Sequence, residues 1–187
     1  GSSFLSNSKA LLNNLPFGES SKKEIPSVLF VTEKWPDGNP EFGIADNDHY
    51  FFSTLKKTGL AKHDNFYFDE YVLKHKRPCD EALIKYCQRN RPDFIFFTWL
   101  FSCQSRYNPR FETLSYIRHT LKIPIVALWY DLANERVLKT ANYISSFVDL
   151  HVPIDTISNC YRTIEPKKFV PLWTPEDENI FYNAQLD

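Results

Sequence analysis

The chain has 187 residues, 43% hydrophobic, 24% charged and 16% aromatic, a composition that suits one sizeable globular core with short appendages. Its formal net charge of −1 excludes a global basic field for holding nucleic acid or an anionic membrane. No apolar run approaches the ~20 residues of a membrane-spanning helix, and no basic start with a long apolar stretch marks a secretory leader, so a cytoplasmic protein is expected.

Residues 1–24 open with Gly1-Ser2-Ser3, which reads as a scar of tag removal, followed by a weak helical stretch and a polar run. This is a linker or N-terminal helical arm. The chain contains no methionine, and a fragment of a longer protein is expected. Val28 to Thr32 is the first apolar strand. The loop from Glu33 to Gly43 holds two prolines and two glycines and predicts neither helix nor strand. Asp46 or Asn47 caps a helix to about Lys57, with Gly59 at its C-terminal end. Asn65 to Tyr71 reads as an aromatic second strand, Asp80 to Asn90 as a helix, and Phe94 to Thr98 as a third strand. Asn108-Pro109 starts a helix to Leu121, Ile125 to Trp129 is a fourth strand, and Asn134 to Val148 is a strongly amphipathic helix. A short strand from Leu150 to Val152, a brief helix near Thr156 to Arg162 and a sixth strand from Phe169 to Pro171 complete the pattern.

Strands apolar on both faces, alternating with amphipathic helices, predict an α/β fold. The expected architecture is a three-layer Rossmann-like domain over 25–175, with a mainly parallel sheet of about six strands and right-handed crossovers. Ligands in such sheets bind at the carboxyl ends of the strands. Residues 176–187 read as the start of a linker or helix. Cysteines 79, 87, 103 and 160 have no C-x-x-C spacing and read as free thiols in a reducing compartment, with no zinc site and no sign of a metal requirement.

Three stretches carry a family resemblance: Val28-Leu-Phe-Val-Thr-Glu-Lys-Trp-Pro36 with its glycine-containing loop, Ile123-Pro-Ile-Val-Ala-Leu-Trp-Tyr-Asp131, and Val170-Pro-Leu-Trp-Thr-Pro-Glu-Asp177 followed by Phe181. Together they resemble the N-terminal, acceptor-side half of a GT-B glycosyltransferase, over residues 25 to 182. The resemblance implies a domain that binds a glycan or glycosylated acceptor. A nucleotide-sugar donor is then held by a C-terminal Rossmann-like domain beyond this chain, and the fragment alone is inactive. It also implies a general base near the first loop or helix, where Asp46, Asp48 and His49 stand. If the helix begins at Asn47, Asp48 shares a side with Phe52 and Leu55 while His49 falls opposite. A cap, a residue favouring the positive helix end and a solvated His are the plainer roles of these three.

Asp131, directly after the fourth strand, is a candidate to orient a basic His or bind a sugar hydroxyl; a turn role is its alternative. Trp129 and Tyr130 fall on opposite faces by strand alternation. Trp35 and Asn39 in the first loop, Trp99 and Arg106 after the third strand, and Tyr130 and Asn134 after the fourth complete the expected acceptor rim. Arg106 and Arg110 also read as a solvated surface pair, and His151 as structural. The rival reading is a stand-alone flavodoxin-like binding or regulatory module. A receiver domain lacks its acceptor Asp, since the third strand ends Thr98-Trp99. Glu33-Lys-Trp-Pro36 is not the Ser/Thr/Gly-rich phosphate loop a flavin requires, and Gly38 and Gly43 lack G-x-G-x-x-G spacing.

Overall fold

A computed structural model describes residues 25–47, 51–101, 105–154, 168 and 170. In chain order the regular elements are β1 (Ser27–Thr32), α1 (Ser53–Thr58), β2 (Lys62–Tyr67), α2 (Phe68–His75), α3 (Asp80–Asn90), β3 (Phe94–Thr98), α4 (Phe111–His119), β4 (Ile125–Trp129), α5 (Glu135–Ile144) and β5 (Leu150–Pro153). The five strands form one all-parallel sheet in the order β2-β1-β3-β4-β5. The fold is therefore α/β and Rossmann-like.

The sheet has five strands among the described residues where about six were expected. The expected sixth strand, the brief helix near 156–162, and the segments 1–24 and 176–187 lie outside the described residues, with one exception. Val170 donates its N–H to His151 O at 3.0 Å, so its backbone bonds to β5.

Strand alternation builds two cores. Leu29, Val31, Ile95, Phe97, Ile125, Ala127 and Trp129 face the layer made by α2 to α5. Val28, Phe30, Val126, Leu128, Leu150 and Val152 face the other side, where Phe51 and Phe52 lead into α1. Phe30 anchors that second core, with its ring 4.3 Å from Phe52 and 5.1 Å from Phe96. Gly59 ends α1 in the left-handed conformation (φ 62°) and donates to Leu55 O at 3.0 Å, as a C-terminal glycine does.

The second strand differs from expectation. It starts earlier, at Lys62, and ends at Tyr67; Phe68 to Tyr71 belong to α2. Asp69 and Glu70 occupy the first turn of α2, where acidic groups meet the positive helix end. The aromatic run across residues 66–71 thus spans a strand end and a helix start. The helices read at 108–121 and 134–148 are shorter, at Phe111–His119 and Glu135–Ile144.

Asp80 ties two helix starts together. Its buried carboxylate accepts Arg110 N–H at 2.8 Å and the Thr113 hydroxyl at 2.6 Å. Asp80→Ala is expected to destabilise the domain by about 2–3 kcal/mol, because it strands a buried hydroxyl and a helix-start amide. Urea denaturation checks this; a loss below about 0.5 kcal/mol contradicts it. Cys79 and Cys87 are buried free thiols, and burial pushes both up to about 12, so they stay protonated. Cys103 and Cys160 lie outside the described residues.

Candidate functional site

The strand order reverses direction between β1 and β3. Successive strands run outward from β1 to β2 on one side and from β3 to β5 on the other. The loop after β1 and the loop after β3 therefore diverge onto opposite faces. Beyond the carboxyl ends of two strands that diverge in this way lies the crevice in which open α/β sheets generally bind ligands.

Both strands end in threonine there. Thr32 and Thr98 are buried, and their hydroxyl oxygens lie 2.7 Å apart. Glu33, the next residue after β1, places Oε2 3.0 Å from Thr98 Oγ1 and 3.5 Å from Thr32 Oγ1. Asn47, buried at the end of the first loop, donates Nδ2–H to Thr32 Oγ1 at 2.9 Å. Tyr130, just past β4, donates its hydroxyl to Asn47 Oδ1 at 2.5 Å. Each threonine has one hydroxyl proton. When Thr98 gives its proton to Glu33, Thr32 gives its own to Thr98 and receives one from Asn47. The reverse order, with Thr98 donating to Thr32 and Thr32 to Glu33, uses the same contacts, and either way a continuous hydrogen-bonded chain links Tyr130 and Asn47 through two threonines to a carboxylate.

The first loop is anchored around this chain. Ala45 N–H donates to Lys34 O at 2.8 Å, closing the loop on itself. Pro36–Gly38 and Pro40–Phe42 are short 3-10 turns within it. From α2, Asp69 accepts Lys34 N–H at 2.8 Å and Trp35 N–H at 3.1 Å. The Lys34 ammonium lies 2.6 Å from Glu70 Oε1.

Burial pushes the Glu33 carboxyl above its ordinary range. Hydrogen bonds from its surroundings oppose that rise, and the Asp69 charge adds to it. Asp69 is raised too, by burial, against the backbone N–H groups of Lys34, Trp35 and Glu70. Two carboxyls with raised affinity for protons thus stand side by side at a strand-end crevice. That pattern is typical of acid–base and hydroxyl-binding sites.

The expected rim residues distribute unevenly. Tyr130 joins the network directly. Trp35 is half-buried at the Asp69 anchor, with the Lys34 ammonium 5.3 Å from its ring centre. Asn39 accepts Glu41 N–H at 3.1 Å and caps a 3-10 turn within the loop. Asp131 is exposed after β4 in a left-handed turn (φ 55°), and its carbonyl accepts Asn134 N–H at 2.8 Å. Asn134 caps α5 by accepting Arg136 N–H at 2.9 Å. Trp99 turns to the helical layer and stacks on Phe111 at 4.7 Å. Arg106 is exposed over the Tyr107 ring. Asp48 and His49 lie outside the described residues.

Trp129 and Tyr130 do face opposite sides. Trp129 is buried in the helical layer, where its Nε1–H donates to His151 Nδ1 at 2.9 Å. Glu33, Thr32, Thr98 and Asn47 were not among the expected site residues. The signal of Thr32, Glu33 and Thr98 was positional, since they end or follow the two strands flanking the switch point, whereas Asn47 is brought in from the end of the first loop.

A separate open hollow of about 590 Å³ lies on the outer helical layer, between α4 and the end of α5, walled by Phe111, Tyr116, Tyr143 and Phe147. All of its polar lining residues are exposed or half-buried, so it lacks the fixed polar groups that distinguish the strand-end crevice. Among the described residues, no helix is long and apolar enough to cross a membrane, and no three acidic, His or Cys side chains gather as a metal site. The chain matches no family model, no curated protein and no solved structure.

Proposed function

We propose that this chain is the acceptor-side domain of a GT-B-like glycosyltransferase, and that the crevice between β1 and β3 binds a neutral, hydroxyl-bearing acceptor. The observation that carries this reading is the chain of donors and acceptors from Tyr130 and Asn47 through Thr32 and Thr98 to Glu33. Hydroxyls and amides in series suit a saccharide, whose hydroxyls both donate and accept. In transfer, ionised Glu33 takes the proton from an acceptor hydroxyl as that oxygen bonds to the anomeric carbon. The bond from that carbon to the nucleotide phosphate breaks in the same step, and the leaving nucleotide departs on a second domain. A carboxyl whose proton affinity is raised by burial is a better base for this step than an exposed one. Asp131, one strand further along the rim, remains a candidate contact for a second sugar hydroxyl.

The strand order β2-β1-β3-β4-β5 favours one alternative, a flavodoxin-like binding module. In that arrangement a phosphate-bearing flavin sits at this same switch point. Glu33 and Asp69 place negative charge there, which repels a phosphate and suits a neutral ligand. Calorimetric titration of the chain with neutral oligosaccharides and with flavin mononucleotide separates the readings. Saturable binding of a saccharide and none of the flavin is expected; flavin binding with no response to any saccharide overturns the proposal.

A further inference from the structure

The turn by which the chain leaves β1 is held from outside its own segment. Asp69, fully buried in the first turn of α2, takes Lys34 N–H on Oδ1 and Trp35 N–H on Oδ2. Oδ1 also accepts Glu70 N–H at 2.8 Å. An ionised carboxylate is an acceptor-only group with two oxygens, so it can receive two consecutive backbone amides at once. An asparagine there would turn an NH2 toward one of those N–H donors. The two gripped amides belong to the residues immediately after Glu33, so their direction sets the direction in which Glu33 leaves the strand.

Resting on the reading of Glu33 as proton acceptor, we infer that Asp69 is the positioning residue of the crevice: its grip on the Lys34 and Trp35 amides aims Glu33 at Thr98 and keeps a second negative charge beside it. The groups around Glu33 fit this role. From α2 come Asp69 and Glu70, and Glu70 is occupied by the Lys34 ammonium. From β3 comes the Thr98 hydroxyl, and beyond Thr32 stand the uncharged Asn47 and Tyr130. Asp69 adds to the burial that raises the Glu33 carboxyl. A group that both orients a base and increases its basicity acts through that base, without touching the acceptor.

The test is a carbon-detected NMR titration of the Glu33 side-chain carboxyl in the chain itself. Asp69→Asn is compared with the wild type, and Asp80→Asn serves as a control for losing a buried aspartate elsewhere. The Glu33 midpoint is expected to fall in Asp69→Asn and to stay in place in Asp80→Asn. A purely structural Asp69 lowers the melting temperature and leaves the Glu33 midpoint where the wild type has it, which overturns the inference. Should Asp69→Asn fail to fold, the reciprocal titration decides: the Asp69 midpoint is expected to fall in Glu33→Gln, because coupling between two charges is mutual. An unmoved Asp69 midpoint there overturns the inference. No saccharide enters this titration. Loss of saccharide binding in Glu33→Gln with unmoved midpoints removes the role of Asp69 alone. Moved midpoints with saccharide binding unchanged in Glu33→Gln remove the acceptor reading.

Discussion

On the proposed reading of Glu33 as the base for an acceptor hydroxyl, Glu33→Gln in the longer transferase which that reading calls for is expected to lower kcat/KM for the acceptor by about 10²- to 10⁴-fold, the usual contribution of a positioned base. The same change is expected to raise the melting temperature. The Glu33 carboxyl is raised in the folded protein, chiefly by burial. Above the ordinary carboxylate range, the folded state then holds a proton that the unfolded chain has released. The stability this gives is full at low pH and is lost as pH rises through the folded value, so at neutral pH the charge of Glu33 opposes folding. Glutamine removes that charge and keeps an oxygen for the Thr98 hydroxyl. For a chain of this length, each kcal/mol gained appears as about 2–4 °C. Opposite signs on activity and stability mark a residue kept for chemistry. A fall in both identifies Glu33 as a structural anchor. Unchanged turnover removes it from the reaction.

The second large effect belongs to His151, on the far side of the sheet from Tyr130. Trp129 Nε1–H donates to His151 Nδ1, so the proton of the neutral ring sits on Nε2, 3.0 Å from Ser145 Oγ. Ser145 in turn donates to Ala141 O at 3.0 Å. The ring thus links β4, β5 and the end of α5 in one direction only, and a second ring proton would face the indole N–H. Burial, with the nearby Lys168 charge adding to it, lowers His151 to about 4.

Because the folded value lies below the unfolded one, the stability tied to His151 is full above the ordinary histidine range near 6.5. It is lost as pH falls from there toward 4. The loss across this window is expected to be about 3 kcal/mol, at roughly 1.4 kcal/mol per unit of separation. Glu33 and Asp69, both raised, act in the opposite sense in acid, so the clean comparison is between variants. Urea denaturation at several pH values is expected to show a steeper acid loss in the wild type than in His151→Gln. Parallel pH dependence of the two proteins contradicts the buried neutral ring.

The fold was legible because burial on both faces leaves an unmistakable trace. Phe94–Thr98, apolar up to its terminal threonine, and Ile125–Trp129, apolar throughout, were read with the ends the structure shows. The edge strand Lys62–Tyr67 was harder. Its exposed side carries Lys62 and Asp64, so its start looked like loop. Its end looked longer because Phe68 and Tyr71 continue the aromatic run into α2. Asp69 decides that boundary, and its partners Lys34 and Trp35 are more than thirty residues away in sequence.

The site was legible by place more than by residue. The rim at the strand ends and Tyr130 were named from the sequence, and Tyr130 donates its hydroxyl to Asn47. Glu33 was weighed only as the wrong residue for a phosphate loop, although that same property suits a neutral acceptor. Its pairing with Thr98 depends on β1 lying beside β3, which no local periodicity encodes. Trp99, placed on the acceptor rim from the sequence, packs against Phe97 and stacks on Phe111.

The measurement that bears most directly on the central claim is an amide chemical-shift map of the chain during titration with the tightest-binding neutral oligosaccharide. The largest shifts are expected at Glu33, Trp35, Asn47, Thr98 and Tyr130, the residues around the β1–β3 crevice, and they are expected to vanish in Glu33→Gln. Shifts centred on the Tyr116 and Tyr143 hollow, with the strand ends silent, would place the ligand elsewhere and contradict the account.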